Sequence, residues 1–386
     1  MGMARPALED RVAAVCEQLE LAERQLDLPL IRDLLEPQAA TRLSGKLGDR
    51  RKSVKRALST ATEDAGWDLF ATEEKAARQL MAELFALVQG RLFSSAGLDN
   101  GIAGAARRLL QDVQELSGLD RGVLVTFSPD TESVDHTIGL VRLRFPGTTV
   151  WDLPFAVHEF GHHAVHELAH IDAAHSDDRP LRSLVTGPFG TKAGLDESHV
   201  HELIADVFAT VALGATYPIA CIQRRINAKQ RATDGTTHPS WQRRVTTMVA
   251  ALDHMTKLSD DKRYAATAAQ LVLPAWQALT GQAAPPDAPE LKALAHKAVD
   301  VLARHAPKLT YDDKESAVLV KYELTTAAQP GPPRPVEVPP NAGPAAIVDA
   351  AWRWRRQNPD ATPVQRSRVD KHAIALCTAV PTDRGN

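Results

Sequence analysis

Residues 155–172 read FAVHEFGHHAVHELAHID, an apolar helical run into which five histidines and two glutamates are set. A helix that is apolar on most of its faces belongs in a core. A core accepts that much ionisable surface only when the groups are paired or bind something. A second run carries the same conflict. Residues 203–222, LIADVFATVALGATYPIACI, are nearly all apolar, yet Asp206 lies among them. The run has the length of a membrane span. A carboxylate at that depth is expensive in lipid, and Gly214 and Pro218 interrupt the run. It therefore reads as a buried core helix followed by a second helix, and no membrane span is expected.

The chain has 386 residues, enough for two domains or for one large domain with appendages. With 24% charged and 44% hydrophobic residues its profile is that of a soluble globular protein. A formal net charge of −3 provides no global field for nucleic acid or an acidic membrane, so no nucleic-acid partner is expected. The three cysteines, Cys16, Cys221 and Cys377, are far apart and form no CxxC pair. That argues against a disulfide framework or a cysteine-zinc site and fits a reducing compartment. The N-terminal MGMARPALEDRVAAV has no apolar h-region, so no secretory signal is read and a cytoplasmic location is expected.

Periodicity predicts an α+β, predominantly helical fold. Residues 7–36 and 50–116 have helical spacing, with breaks at Gly66–Trp67 and Gly97–Gly104, and 1–118 read as a helical N-terminal region. GVLVTF (122–127) and TIGLVRLRF (137–145) are β-branched and alternating, hence strands, with a turn-like SPDTESVDH between them. Asp152 with Pro154 marks a helix start, residues 173–198 and 227–240 read as loops, and Ser198 is placed to cap the helix after it. Residues 119–285 make a central domain that holds both apolar runs, 286–328 a helical extension, and 329–344, with seven prolines, an extended linker. The basic tail 345–386 opens on AAIVDAAWRWRRQNP. It is expected to dock through Trp352 and Trp354 or to contact a protein partner.

Within the first run His158-Glu159-Phe160-Gly161-His162 fits HExxH. On a helix, positions i and i+4 share a face about 6 Å apart along the axis, so two imidazoles there can converge on one zinc ion. Glu159, beside the first ligand, is placed to act as general base on an attacking water. A catalytic zinc takes a third protein ligand. Ten residues after His158 stands Leu168, so a third histidine at that spacing is excluded. His170 lies about 18 Å along the axis from His158, out of reach, and His166 is at best near the rim. His163 points to another face. HELIADVFA (201–209) instead puts Glu202 and Asp206 at i and i+4 on an apolar helix. A zinc ion on Glu202, and an imidazole N–H on Asp206 that fixes the tautomer of a ligand histidine, compensate both carboxylates. His199 and His201 read as loop or first-turn residues, with His201 a weaker ligand candidate.

HExxH followed by ExxxD resembles the glutamate-zincin metallopeptidases, and ELIAD is similar to the ExxAD of the M48-like peptidases. Those proteins carry a further His-Pro motif with a trailing Arg, and THPSWQRRV holds His238, Pro239 and Arg244 in matching places. The resemblance covers roughly residues 150–250. ADVFATVAL also leans towards the ImmA/IrrE-like regulator peptidases, the second choice. The resemblance implies a zincin-like catalytic core with a small β-sheet next to the HExxH helix. It implies that His238 steadies the oxyanion and that Arg244 braces the site. The expectation is a zinc metallopeptidase with one Zn2+ per chain on His158, His162 and Glu202, acting on a peptide or protein. The strand at 137–145 is the candidate edge for an extended substrate. A regulatory protease specific for one partner and a non-catalytic zinc scaffold are the alternatives.

Overall fold

The computed structural model describes residues 4–35, 37–60, 62–119, 124–128, 133–135, 140–144, 148–171, 195–258, 262–286, 288–311, 314–332 and 335–381. The chain is predominantly helical with a small β-sheet, and it divides into two compact units. The first comprises Met1–Asp99 with Thr126–Ser128, the second Asn100–Val125 with Pro129–Asn386.

The first unit is built from α1 (Ala4–Leu26), the short α2 (Pro29–Leu34), α3 (Pro37–Lys55) and α4 (Glu63–Ser95). Leu80, Leu84 and Leu87, spaced along one stripe of α4, are buried, as are Leu19, Leu43, Leu47 and Phe70. Gly66 does not break the chain as its sequence context suggests. It sits in the first turn of α4, whose N-cap Thr62 accepts the Ala65 N–H. A Cβ at Gly66 would come within 2.9 Å of the Ala57 carbonyl, so glycine is there for close backbone approach rather than for a turn.

The second unit opens with α5 (Ile102–Ser117), bounded by Gly101 and Gly118, both at positive φ. Strands β1 (Leu124–Ser128), whose last three residues count with the first unit, β2 (Ser133–Asp135) and β3 (Leu140–Arg144) follow along the chain. β2 pairs antiparallel with β3, Val134 opposite Val141, and both strands contact the HExxH helix. β2 lies inside the segment expected to be a turn. Its lone apolar residue between Ser133 and Asp135 carries no alternating signal, and pairing with β3 alone makes it a strand. The sheet order β1-β3-β2 puts β3 in the centre, so it is not a free edge for a substrate strand. Residues 122–123, 137–139 and 145 of the two expected strands, and most of the 173–198 loop, lie outside the described residues.

α6 (Leu153–Ile171) is the HExxH helix, and α7 (Glu197–Leu213) packs along it. A short 3-10 turn at Val150–Asp152 leads into α6, with Asp152 and Thr149 forming a capping box. Every residue of α7 from Glu202 to Leu213 is buried, because α9 (Trp241–Leu258) and α11 (Pro289–His305) also pack on it. Its N-cap is Asp196, whose Oδ1 accepts the His199 N–H at 2.8 Å; Ser198 donates to Asp196 instead of capping. A carboxylate one residue before the helix reaches the exposed amides better than a hydroxyl already in the first turn. The apolar run ends at Gly214, at φ 59°, and resumes as α8 (Thr216–Arg224). Among the described residues no helix is long and apolar enough to cross a membrane.

α10 (Lys262–Thr280) and α12 (Lys314–Leu319) complete this region, and the chain returns after the proline-rich stretch as α13 (Pro344–Gln357) and α14 (Pro363–Ala379). Trp352 and Trp354 are 1% and 2% exposed, so the tail helix turns its aromatic face into the unit. Asp349 accepts from Thr216 and Tyr311, and Asp370 accepts the Val150 N–H at 2.7 Å. The C-terminal helices thereby hold the starts of both α6 and α8.

Candidate metal centre

α6 and α7 come unusually close. A Cβ on Gly161 would stand 3.1 Å from the Ala205 carbonyl and 3.3 Å from both Ala205 Cα and the Phe208 ring. Glycine just before the second histidine of HExxH is thus what lets α7 lie against the histidine face. Phe160 and Phe208 meet edge-on beside that crossing, with centroids 5.9 Å apart.

The approach brings three side chains to one point. His158 Nε2 and His162 Nε2 are 3.2 Å apart. Glu202 places Oε2 3.4 Å from the first and Oε1 3.2 Å from the second. All three residues are buried, and this His-His-Glu set can hold a metal ion. Four donors at about 2.0–2.1 Å around zinc stand about 3.3–3.4 Å from one another, the separations seen here. The donor chemistry agrees. Two imidazole nitrogens and a carboxylate face each other in buried surroundings, and the nearest donors to Glu202 Oε2 are long, His158 Nε2 at 3.4 Å and Arg244 Nη1 at 3.6 Å. Lone pairs converging in low dielectric repel unless a cation or proton lies between them.

Each outer ring nitrogen has a close polar neighbour. His158 Nδ1 is 3.1 Å from Asp206 Oδ1, and Asp206 is fully buried. Arg244 grips that carboxylate at 2.8 Å through Nε and 2.6 Å through Nη2, while Tyr217 donates its hydroxyl to Oδ1 at 2.5 Å. Tyr217 also stacks on the His158 ring, with centroids 5.6 Å apart. His162 Nδ1 lies 3.0 Å from His201 Nδ1.

The electrostatics follow from this wiring. Burial opposes protonation of His158, but hydrogen bonds to Asp206 and Glu202 outweigh it and hold the imidazole at about 9. Burial likewise penalises the Glu202 carboxylate, and the two histidines reverse that and hold it far below the usual carboxylate range. Asp206 is penalised by burial too, yet the Arg244 charge brings it down to about 2. Burial and the Asp206 charge raise the Tyr217 phenol well above its usual value, so it is a donor throughout the working pH range.

Glu159 is half-buried, one residue after His158, and among the described residues its carboxylate takes part in no hydrogen bond or ion pair. His238 stands at the mouth. Its side chain is 60% exposed, its Nε2 is 3.4 Å from Glu202 Oε1, and its Nδ1 is 2.8 Å from the Thr237 hydroxyl. The 227–240 loop that carries it is pinned by His199, whose Nε2 lies 3.0 Å from the Gly235 carbonyl. His163 is buried against Phe160, away from the cluster, and the side chains of His166 and His170 lie outside the described residues.

Two of these residues escape a reading of the motifs. Tyr217 sits in an apolar run where nothing marks it as polar machinery; only the unpaired cost of a buried Asp206 hints at a further donor. His201 reads as a spare ligand, but its Nδ1 faces the outer nitrogen of His162, so it stands behind the cluster. No family model, curated protein or solved structure matches the chain.

Proposed function

We propose that the chain is a zinc-dependent metallopeptidase of the glutamate-zincin kind, in which His158, His162 and Glu202 hold one zinc ion. The observation that carries this is the convergence of Nε2, Nε2 and a carboxylate at separations of 3.2–3.4 Å, with Glu159 next to the first of these ligands in the chain. A zinc ion held there supplies Lewis-acid polarisation of a carbonyl and lowers the pKa of a water molecule. Glu159 accepts the proton of the attacking water and then delivers it to the leaving amine. Asp206, with its charge balanced by Arg244, keeps the His158 Nδ1 protonated so that the Nε2 lone pair faces inward. His238, exposed at the mouth, donates to the developing oxyanion.

A peptide or protein is the substrate under this reading, and a single partner protein is a narrower form of it. The three cysteines are all buried and free, which suits a reducing, cytoplasmic setting.

The test is a pair of measurements on purified protein. Metal analysis should find about one zinc per chain. Glu159→Gln should keep that zinc and lose hydrolysis of a peptide library by about 10²–10⁴-fold. Zinc with no Glu159-dependent hydrolysis would identify a structural metal site instead.

A further inference from the structure

We infer that His201 is a positioning residue for His162, the hydrogen-bond acceptor that fixes which nitrogen of that imidazole faces the metal. This rests on the metal-site reading above and concerns a residue outside the ligand set.

The two candidate ligand histidines are wired differently. His158 has a carboxylate behind it, Asp206 Oδ1 at 3.1 Å from Nδ1. His162 has an imidazole behind it, His201 Nδ1 at 3.0 Å from Nδ1, and the two rings lie nearly parallel at 14° with centroids 5.0 Å apart. Two nitrogens at that separation share one proton, so one donates and one accepts. His162 Nε2 is turned to Glu202 Oε1 and His158 Nε2, both at 3.2 Å. For Nε2 to present a lone pair to a cation, the proton of His162 must be on Nδ1 and His201 Nδ1 must accept it.

The location makes the arrangement hard to replace. His162 is 8% exposed, so water does not readily substitute for the acceptor. His201 immediately precedes Glu202 on α7, so the third ligand and the acceptor behind the second ligand move as one piece. The pairing also distributes charge. Asp206 is balanced by Arg244, and His201 adds no anion, so the ligand set carries only the Glu202 charge towards the cation. A carboxylate behind both imidazoles would make both stronger donors to the metal and weaken its Lewis acidity.

The experiment compares wild type, His201→Leu and His201→Asn. Asparagine places its Oδ1 where the histidine carries Nδ1, so it restores an acceptor without an imidazole. Zinc affinity is read by competition with a chromophoric chelator. The His162 tautomer is read from 15N shifts of the metal-free proteins, and thermal melting of the same metal-free samples checks folding. His201→Leu should lower zinc affinity by about 10–100-fold and shift His162 away from the Nδ1–H form, and His201→Asn should recover most of both. An unchanged affinity and tautomer in His201→Leu overturns the inference, as does failure of His201→Asn to restore either while the protein melts normally. The readouts separate the two readings. Wild type that binds no zinc sinks the metal centre, while the tautomer measurement still decides the part played by His201.

Discussion

His158 and Asp206, one on each of two packed helices, are joined by a 3.1 Å contact between Nδ1 and Oδ1, and the same carboxylate is clamped by Arg244 and Tyr217. Asp206 therefore does two jobs, orienting an imidazole and neutralising a buried guanidinium. Asp206→Ala removes the bidentate partner of Arg244 and leaves that buried charge only Glu202, 3.6 Å away, with an expected loss of about 3–5 kcal/mol in denaturant unfolding. Asp206→Asn keeps the volume and should lower zinc affinity by about 10–100-fold while the fold persists.

Glu202 is the only anion among the three converging donors, and it sits between two imidazoles at 3.2 and 3.4 Å. A metal bound to the folded chain at a hundred times its dissociation constant adds about 2.7 kcal/mol of stability. Chelation should therefore lower the melting temperature of wild type, and Glu202→Ala should abolish that response. A chelator-sensitive Glu202→Ala protein would remove Glu202 from the ligand set.

Gly161 faces Ala205 across the helix crossing, where an added Cβ would be 3.1 Å from a carbonyl oxygen. Gly161→Ala gains about 1 kcal/mol of helix propensity, which offsets much of the steric cost. Its stability should change little while the separated helices weaken zinc binding. Gly161→Val overpacks the crossing and should cost about 1–3 kcal/mol. Melting and zinc titration of the two variants check both statements; a Gly161→Val protein with wild-type affinity would show that the crossing distance does not set the donor geometry.

His296 on α11 stacks on His254 of α9 at 4.3 Å, and burial, then the His254 and Lys257 charges, hold it below the ordinary imidazole value. The unfolded chain protonates His296 at a higher pH than the native chain does. Stability from this group is thus present above about 6.5 and is lost as the pH falls below it. His296→Gln should make the fall in unfolding midpoint between about pH 7 and 5 shallower than in wild type. An unchanged slope would show that the stacked pair is not coupled to folding.

Much of the cluster is legible in one dimension because helical spacing places i and i+4 on one face. That holds for His158 with His162 and for Glu202 with Asp206, and a carboxylate among Ile204, Val207 and Phe208 calls for a buried partner. Other features leave no such mark. β2 has one apolar residue and is a strand only through β3. Asp196 and Ser198 are both good cap residues, and loop geometry chooses between them. Tyr217 looks like any aromatic in an apolar run until its hydroxyl meets Asp206.

Local periodicity determined the helices, their apolar faces and the pairs of ionisable groups that must be compensated, since each depends only on residues a turn apart. The meeting of the pairs, the clamp of Arg244 and Tyr217 on Asp206, the placing of His201 behind His162 and the central position of β3 were decided by tertiary packing. Those contacts join residues far apart along the chain, and what sets them is how closely α6 and α7 can approach at Gly161, a distance that no local pattern encodes.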